Sequence, residues 1–223
     1  MNSTPMKKST VSMRNKIFEY YTQTVLEQEM EPKSVYRFCK ELKIEEADFY
    51  AHFASLEHLR GQLFCQFFDN AISLIEKEKG YVSKSPQEKL LSFYYTFFEV
   101  LLLNRSYVLF ALRSDKNPFD KLATLSAFRN DFKQFVKVLI QDGNALKPTK
   151  FSQHPEGLFS EGAWIQLAFL LKFWMEDTSP GFEKTDMAIE KSVRTVFEVL
   201  DATPLESVLD FGKFLWKEKF NKA

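Results

Sequence analysis

Apolar residues recur in this chain at spacings of three and four almost throughout, and nowhere do they alternate with polar ones. Residues 14–28, RNKIFEYYTQTVLEQ, put Ile17, Tyr20, Tyr21, Thr24 and Val25 on one face. Leu56, Leu59, Leu63, Phe67 and Leu74 repeat in the same manner, as do Ile189, Val193, Val196, Phe197 and Leu200. This is the period of a helix lying on a core, whereas a half-buried strand needs a period of two. Only 7 Gly and 8 Pro punctuate the 223 residues, too few for the turns of an all-β chain. The fold class is therefore all-α.

Helix starts are marked as well. Ser34 before VYRFCKEL and Ser55 before LEHL can each accept a free amide proton of a first turn. Ser85-Pro86-Gln87-Glu88 and Thr203-Pro204-Leu205-Glu206 are capping boxes with proline at the first helical position. With the apolar stripes they predict helices over about 14–28, 35–42, 45–52, 56–78, 86–104, 105–114, 119–141, 158–176, 183–201 and 204–220. The stretch from Asp142 to Gly157, with Gly143, Pro148 and Pro155, reads as the one long loop.

Several function classes drop out. Lys plus Arg and Asp plus Glu stand at 30 each, so no global charge draws the chain to a polyanion. The most apolar run, LLSFYYTFFEVLLLN, contains Glu99 and falls short of the roughly 20 residues a membrane span needs. MNSTPMKKSTVSM has no apolar stretch after its lysines and is not a secretory signal. Cys39 and Cys65 sit among apolar neighbours, as buried free thiols of a cytoplasmic protein do. His52, His58 and His154 are scattered, so no metal constellation forms. No glycine-rich phosphate loop and no nucleophile elbow is present, and neither enzyme chemistry nor a cofactor is expected.

Short helices separated by a tight turn can place one helix in the major groove of DNA. SVYRFCKELKIEEADFYAHFASLEHL carries that pattern. Ser34 is the cap, Ile44 the hydrophobe after the turn, Tyr50, His52 and Phe53 a Tyr-x-His-Phe run, and Ser55, Glu57 and Leu59 the opening of a further helix. Over residues 14 to 75 the chain resembles the N-terminal domain of the TetR-like (tetracycline-repressor) family of bacterial regulators. The resemblance implies a helix-turn-helix domain over 1–55, a connecting helix over 56–78, and an all-helical ligand-binding and dimerisation domain over 80–223. It also implies a homodimer on a palindromic double-stranded DNA operator. The DNA contacts would fall on Ser34, Glu46, Ala47, Asp48, Tyr50 and His52, with Tyr50 and His52 on phosphate oxygens. Lys33, Arg37 and Lys43 would ring them.

Four positions depart from the family pattern. Lys43 stands where the turn usually has glycine, Leu56 where a lysine usually meets phosphate, and Glu46 and Asp48 where neutral or basic residues are common. Residues 45–59 carry Glu45, Glu46, Asp48 and Glu57 and no Lys or Arg. Counterion release, which scales with phosphates neutralised, is therefore small on this face. Carboxylates can still read cytosine amino groups.

After residue 80 aromatic residues are dense. Phe93, Phe97, Tyr107, Phe110, Phe128, Phe132, Trp164, Phe169 and Phe173 are the candidates to line a pocket for a small apolar ligand, with plain core packing the alternative. One segment suggests a different class. Asp177, Ser179, Pro180, Phe182, Glu183 and Thr185, within residues 173–193, resemble a segment of the lipid-binding accessory protein of coenzyme Q biosynthesis, which has a repressor-like fold and does not regulate transcription. A lipid- or quinone-binding protein without DNA affinity is thus the second expectation. Helix stop-and-start chemistry accounts for the same residues locally. The resemblance to the regulators places this segment between the two helices of a dimer's four-helix bundle, a role the 189–200 stripe fits.

Overall fold

The computed structural model describes residues 6–113, 125–145 and 155–202. Among them are nine α-helices and no strand. They are α1 (Met6–Gln28), α2 (Val35–Leu42), α3 (Glu46–Tyr50), α4 (Leu56–Ile75), α5 (Pro86–Leu103), α6 (Arg105–Arg113), α7 (Ser126–Ala145), α8 (Glu156–Glu176) and α9 (Glu183–Ala202). The helix expected at 204–220, the first residues of that expected at 119–141, and Pro148 of the expected loop lie outside the described residues. Helix α1 begins at Met6 rather than near Arg14, and no Gly or Pro stands between the two to stop it.

By packing, the described residues form two compact units. The first comprises 6–73, 97–113 and 125–131; the second comprises 74–96, 132–145 and 155–202. In the first, Ile17, Tyr21, Thr24 and Val25 of the α1 stripe are buried and Tyr20 is half-buried, while Phe18, outside the stripe, is buried as well. Rings link them to the short helices: Phe18 to Phe53 (5.0 Å), Tyr21 to Phe38 (6.2 Å), and Phe38 to Phe49 (5.9 Å). Tilted and edge-on pairs of this kind are the favoured aromatic arrangements. Helix α1 also packs on α6, with Tyr21 edge-on to Tyr107. Leu59, Leu63, Phe67, Ala71 and Ile75 keep α4's stripe buried. Leu74 leaves it and is exposed, because four-residue steps carry the buried face to 71 and 75 instead.

The second unit is built on α5, α7, α8 and α9. The capping box at the start of α5 is formed: the Ser85 amide donates to Glu88 Oε2 at 2.7 Å and the Glu88 amide to Ser85 Oγ at 3.3 Å. The Ser85 hydroxyl, which also donates to Glu88 Oε2 at 2.7 Å, and then the Ser85 amide hold the Glu88 carboxyl below its ordinary range. Phe93 packs on Phe132 and Phe135, and Phe132 on Trp164. The buried Tyr94 hydroxyl donates to the Ala163 carbonyl at 3.2 Å, and Gln166 Nε2 donates to Ser192 Oγ at 2.9 Å, tying α8 to α9.

Two glycines expected in the long loop are helical instead. Gly143 lies in α7 and Gly157 in α8, so the expected loop is shortened at both ends. Gly143 answers a packing need: a Cβ there would stand 2.9 Å from Pro86 Cγ, inside van der Waals contact with a rigid ring.

Candidate nucleic-acid interface and aromatic core

Ser34 opens α2 as expected, its Oγ accepting from the Arg37 amide at 3.2 Å. The helix closes at Lys43, whose backbone is left-handed (φ 60, ψ 50), while the Ile44 amide donates to the Cys39 carbonyl at 3.1 Å. A side chain in that conformation costs about 1 kcal/mol relative to glycine. The chain thus carries a lysine where the turn favours glycine, which keeps an exposed cation at the bend. Helix α3 has five residues and buries one, Phe49. A single turn has no stability of its own, so this ring anchors it, edge-on to Phe38 at 5.9 Å and tilted on Phe53 at 5.7 Å.

None of the nine expected contact residues is buried. Lys33, Ser34, Arg37, Lys43, Ala47, Asp48 and Tyr50 are exposed, and Glu46 and His52 half-buried, on α2, α3 and their flanking turns, and α2 packs against α3. Tyr36 and Lys40 are also exposed on α2 and were not among the expected contacts. An exposed aromatic on a short helix is the signal that marks Tyr36.

The carboxylates have separable roles. Asp48 Oδ2 accepts from the Glu45 amide at 3.3 Å, so this acid closes α3's first turn, where a helix favours negative charge. Glu41 pairs with Arg37 at 2.8 Å and keeps the guanidinium in its charged form. Burial, followed by the fields of Glu46, Asp48 and Glu45, raises the Cys39 thiol above its ordinary range. At the start of α4, Ser55 Oγ accepts from the His58 amide at 3.0 Å and His58 Nδ1 from the Ala54 amide at 3.1 Å.

The nine aromatic candidates for a ligand pocket fall into both units. Phe97, Tyr107, Phe110 and Phe128 belong to the first; Phe93, Phe132, Trp164, Phe169 and Phe173 belong to the second. Phe97 stacks on Phe128 at 5.2 Å, and Phe93, Tyr107 and Phe132 are likewise buried. Trp164 is 8% exposed, Phe110 and Phe173 are half-buried, and Phe169 is 56% exposed. Elsewhere in the first unit a cleft of about 630 Å³ runs between α1 and α4 to Asn104. It is lined by amides and carboxylates rather than by rings alone.

Helix α8 exposes an uncharged stripe: Leu158, Gly162, Ile165, Ala168 and Phe169. Ile165 is 68% and Leu158 45% exposed. On α9 the expected dimer stripe turns inward. Ile189 and Val193 are fully buried where α9 packs on α8 within one chain, and Val196 and Phe197 are half-buried.

The 177–185 segment is a capping device. Asp177 Oδ1 accepts from the Ser179 amide and hydroxyl at 2.8 and 2.6 Å, and Oδ2 from the Thr185 amide and hydroxyl at 2.9 and 2.7 Å. Burial alone would raise this carboxyl, but the four bonds hold it at about 2. A depressed carboxyl stabilises the fold above its unfolded pKa, near 4, and that contribution is lost as pH falls through the folded value. Asp177→Asn should therefore cost about 2 kcal/mol at pH 7. Urea unfolding from pH 7 to 2 should show the gap to wild type close between pH 4 and 2. A gap constant over that range would show that the charge does not matter.

No curated protein sequence matches the chain. Residues 89–215 match the family described as "Tetracyclin repressor-like, C-terminal domain". Among solved structures, a TetR-family transcriptional regulator of Syntrophomonas wolfei superposes with TM-score 0.66 at 18% identity, covering 83% of this chain and 94% of that one. The fatty acid degradation regulator FadR of Bacillus halodurans gives 0.54 at 14%, with 91% and 97% covered. A TetR-family regulator of Shewanella sp. PV-4 gives 0.53 at 16%, with 83% and 95% covered. These identities speak to the fold, while the family match spans more than half the sequence. The chain belongs to the tetracyclin repressor-like family of transcriptional regulators.

Proposed function

We propose that this family member is a homodimeric, ligand-responsive repressor or activator that reads a palindromic operator in double-stranded DNA. The observation that carries the reading is the capped α2, left-handed turn and Phe49-anchored α3, with none of the nine expected contact residues buried. Lys33, Arg37 and Lys43 approach phosphates, Tyr50 and His52 donate to phosphate oxygens, and Glu46 accepts from a base amino group. The exposed α8 stripe pairs two copies, since isologous apolar faces favour two-fold dimers. A small apolar ligand among the rings after residue 80 shifts the spacing of the paired α3 helices, and by linkage operator binding shifts ligand affinity equally. Such a protein works in the cytoplasm, and among the described residues no single helix is long and apolar enough to cross a membrane.

The acidic α3 favours one other reading, a lipid- or quinone-binding protein that has lost DNA affinity. Selection of genomic fragments by purified protein at low and rising salt separates the two. A regulator enriches one short palindrome, and its binding falls with salt at a slope of about −0.9 per neutralised phosphate. Folded, dimeric protein that enriches no sequence would remove the regulator reading, and solvent extraction of that protein would then be expected to yield lipid.

A further inference from the structure

We propose that Tyr36 is a specificity-determining residue of the reading surface, its ring packing on the C5-methyl group of one thymine in each operator half-site. The inference rests on the regulator reading above and adds a contact to it. Tyr36 is 62% exposed in the first turn of α2, and among the described residues its side chain makes no hydrogen bond, ion pair or ring contact. The other phenyl and phenol rings from Ser34 to Phe53 are held. Phe38, Phe49 and Phe53 are buried, and Tyr50 stands perpendicular to Phe49 at 5.6 Å.

Helix geometry sets which edge of α2 carries this ring. The acids of α3 lie toward Cys39, whose thiol is raised first by burial and then by the fields of Glu46, Asp48 and Glu45. At 3.6 residues per turn, Tyr36 stands about 60° around the helix from Cys39, and Arg37 about 160°. Lys40, also exposed, lies one turn beyond Tyr36 on the same edge. Arg37, on the far edge, is held by Glu41 at 2.8 Å. Helix α2 therefore offers Tyr36 and Lys40 beside the acids of α3, and turns Arg37 away from them. The base chemistry follows from that neighbourhood. A carboxylate recognises the cytosine amino group, which leaves thymine without a partner on α3. The thymine methyl is the apolar feature of the major groove, and an unengaged ring next to α3 matches it.

The test is a cycle on the operator recovered by selection, with affinities read by fluorescence anisotropy at fixed salt. Deoxyuridine replaces thymine at one symmetric pair of positions at a time, which removes only the methyl. One such pair should weaken wild-type binding about fourfold per half-site, the value of one buried methyl group, and should not weaken Tyr36→Ala further. On the natural operator Tyr36→Ala should bind about tenfold or more weaker than wild type, and Tyr36→Phe should match wild type on both DNAs. The side chain is exposed and unengaged, so both variants should melt near the wild-type temperature. A wild-type protein that binds no operator would remove the regulator reading, and this inference with it. With operator binding intact, three results would each overturn the inference alone. Tyr36→Phe could weaken binding as much as Tyr36→Ala, which would make the hydroxyl the contact. Every thymine could prove replaceable without loss, or the critical methyl could matter equally to Tyr36→Ala.

Discussion

Phe169→Asp turns the proposed dimer into a monomer. The side chain is 56% exposed, one turn beyond Ile165, on the uncharged α8 stripe that begins at Leu158. In a two-fold interface each substitution acts twice, placing two carboxylates where two rings met. Losing a central aromatic anchor costs about 2 kcal/mol or more per site, and burying an unpaired charge adds to that. The dimer constant should therefore weaken by more than a thousandfold, enough to yield monomer at micromolar concentration. Sedimentation velocity reads the change directly. Val82→Asp is the control, because Val82 is 88% exposed yet belongs to the turn between α4 and α5 rather than to α8. If Phe169→Asp stays dimeric, or Val82→Asp dissociates equally, the α8 interface is wrong.

That surface was hard to read in the sequence, for a physical reason. Helix α8 is apolar on nearly all sides, so periodicity gives no direction to its outward face. The stripe of the amphipathic α9 fits a dimer element, and it equally fits a helix that lies on a neighbour in the same chain, so the period alone does not name its partner. Ile189 and Val193 are used up that way within one chain. Local chemistry was far more legible. Ser34, Ser55 and the Ser85–Glu88 box act where their hydrogen-bonding groups predict, and Asp177, Ser179 and Thr185 form a cap of the helix stop-and-start kind that their residue types predict. Gly143 was misread because a helical glycine and a loop glycine are identical in sequence; only the proximity of Pro86 tells them apart.

Phe49 and Tyr50 are neighbouring rings on α3, and substituting them should have opposite consequences. Phe49 is fully buried, touches Phe38 and Phe53, and is the only buried residue of a five-residue helix. Phe49→Ala leaves a cavity at the point where α3 is attached, and should cost about 3–5 kcal/mol. The urea midpoint should fall by about 1 M or more. Operator binding should disappear with it, because a detached single turn does not persist in water. Tyr50 is 52% exposed, and its ring stands perpendicular to Phe49 at 5.6 Å. Tyr50→Phe keeps that contact and removes one hydroxyl, so stability should move by no more than about 0.5 kcal/mol. On the operator recovered by selection, however, affinity should fall about tenfold, the value of one hydrogen bond to a charged phosphate. The pair thus separates a residue that holds the reading helix from one that uses it. A Phe49→Ala protein with an unmoved urea midpoint would refute the anchoring role. A Tyr50→Phe protein of unchanged affinity would remove Tyr50 from the phosphate contacts, leaving Lys33, Arg37, Lys43 and His52 to supply them.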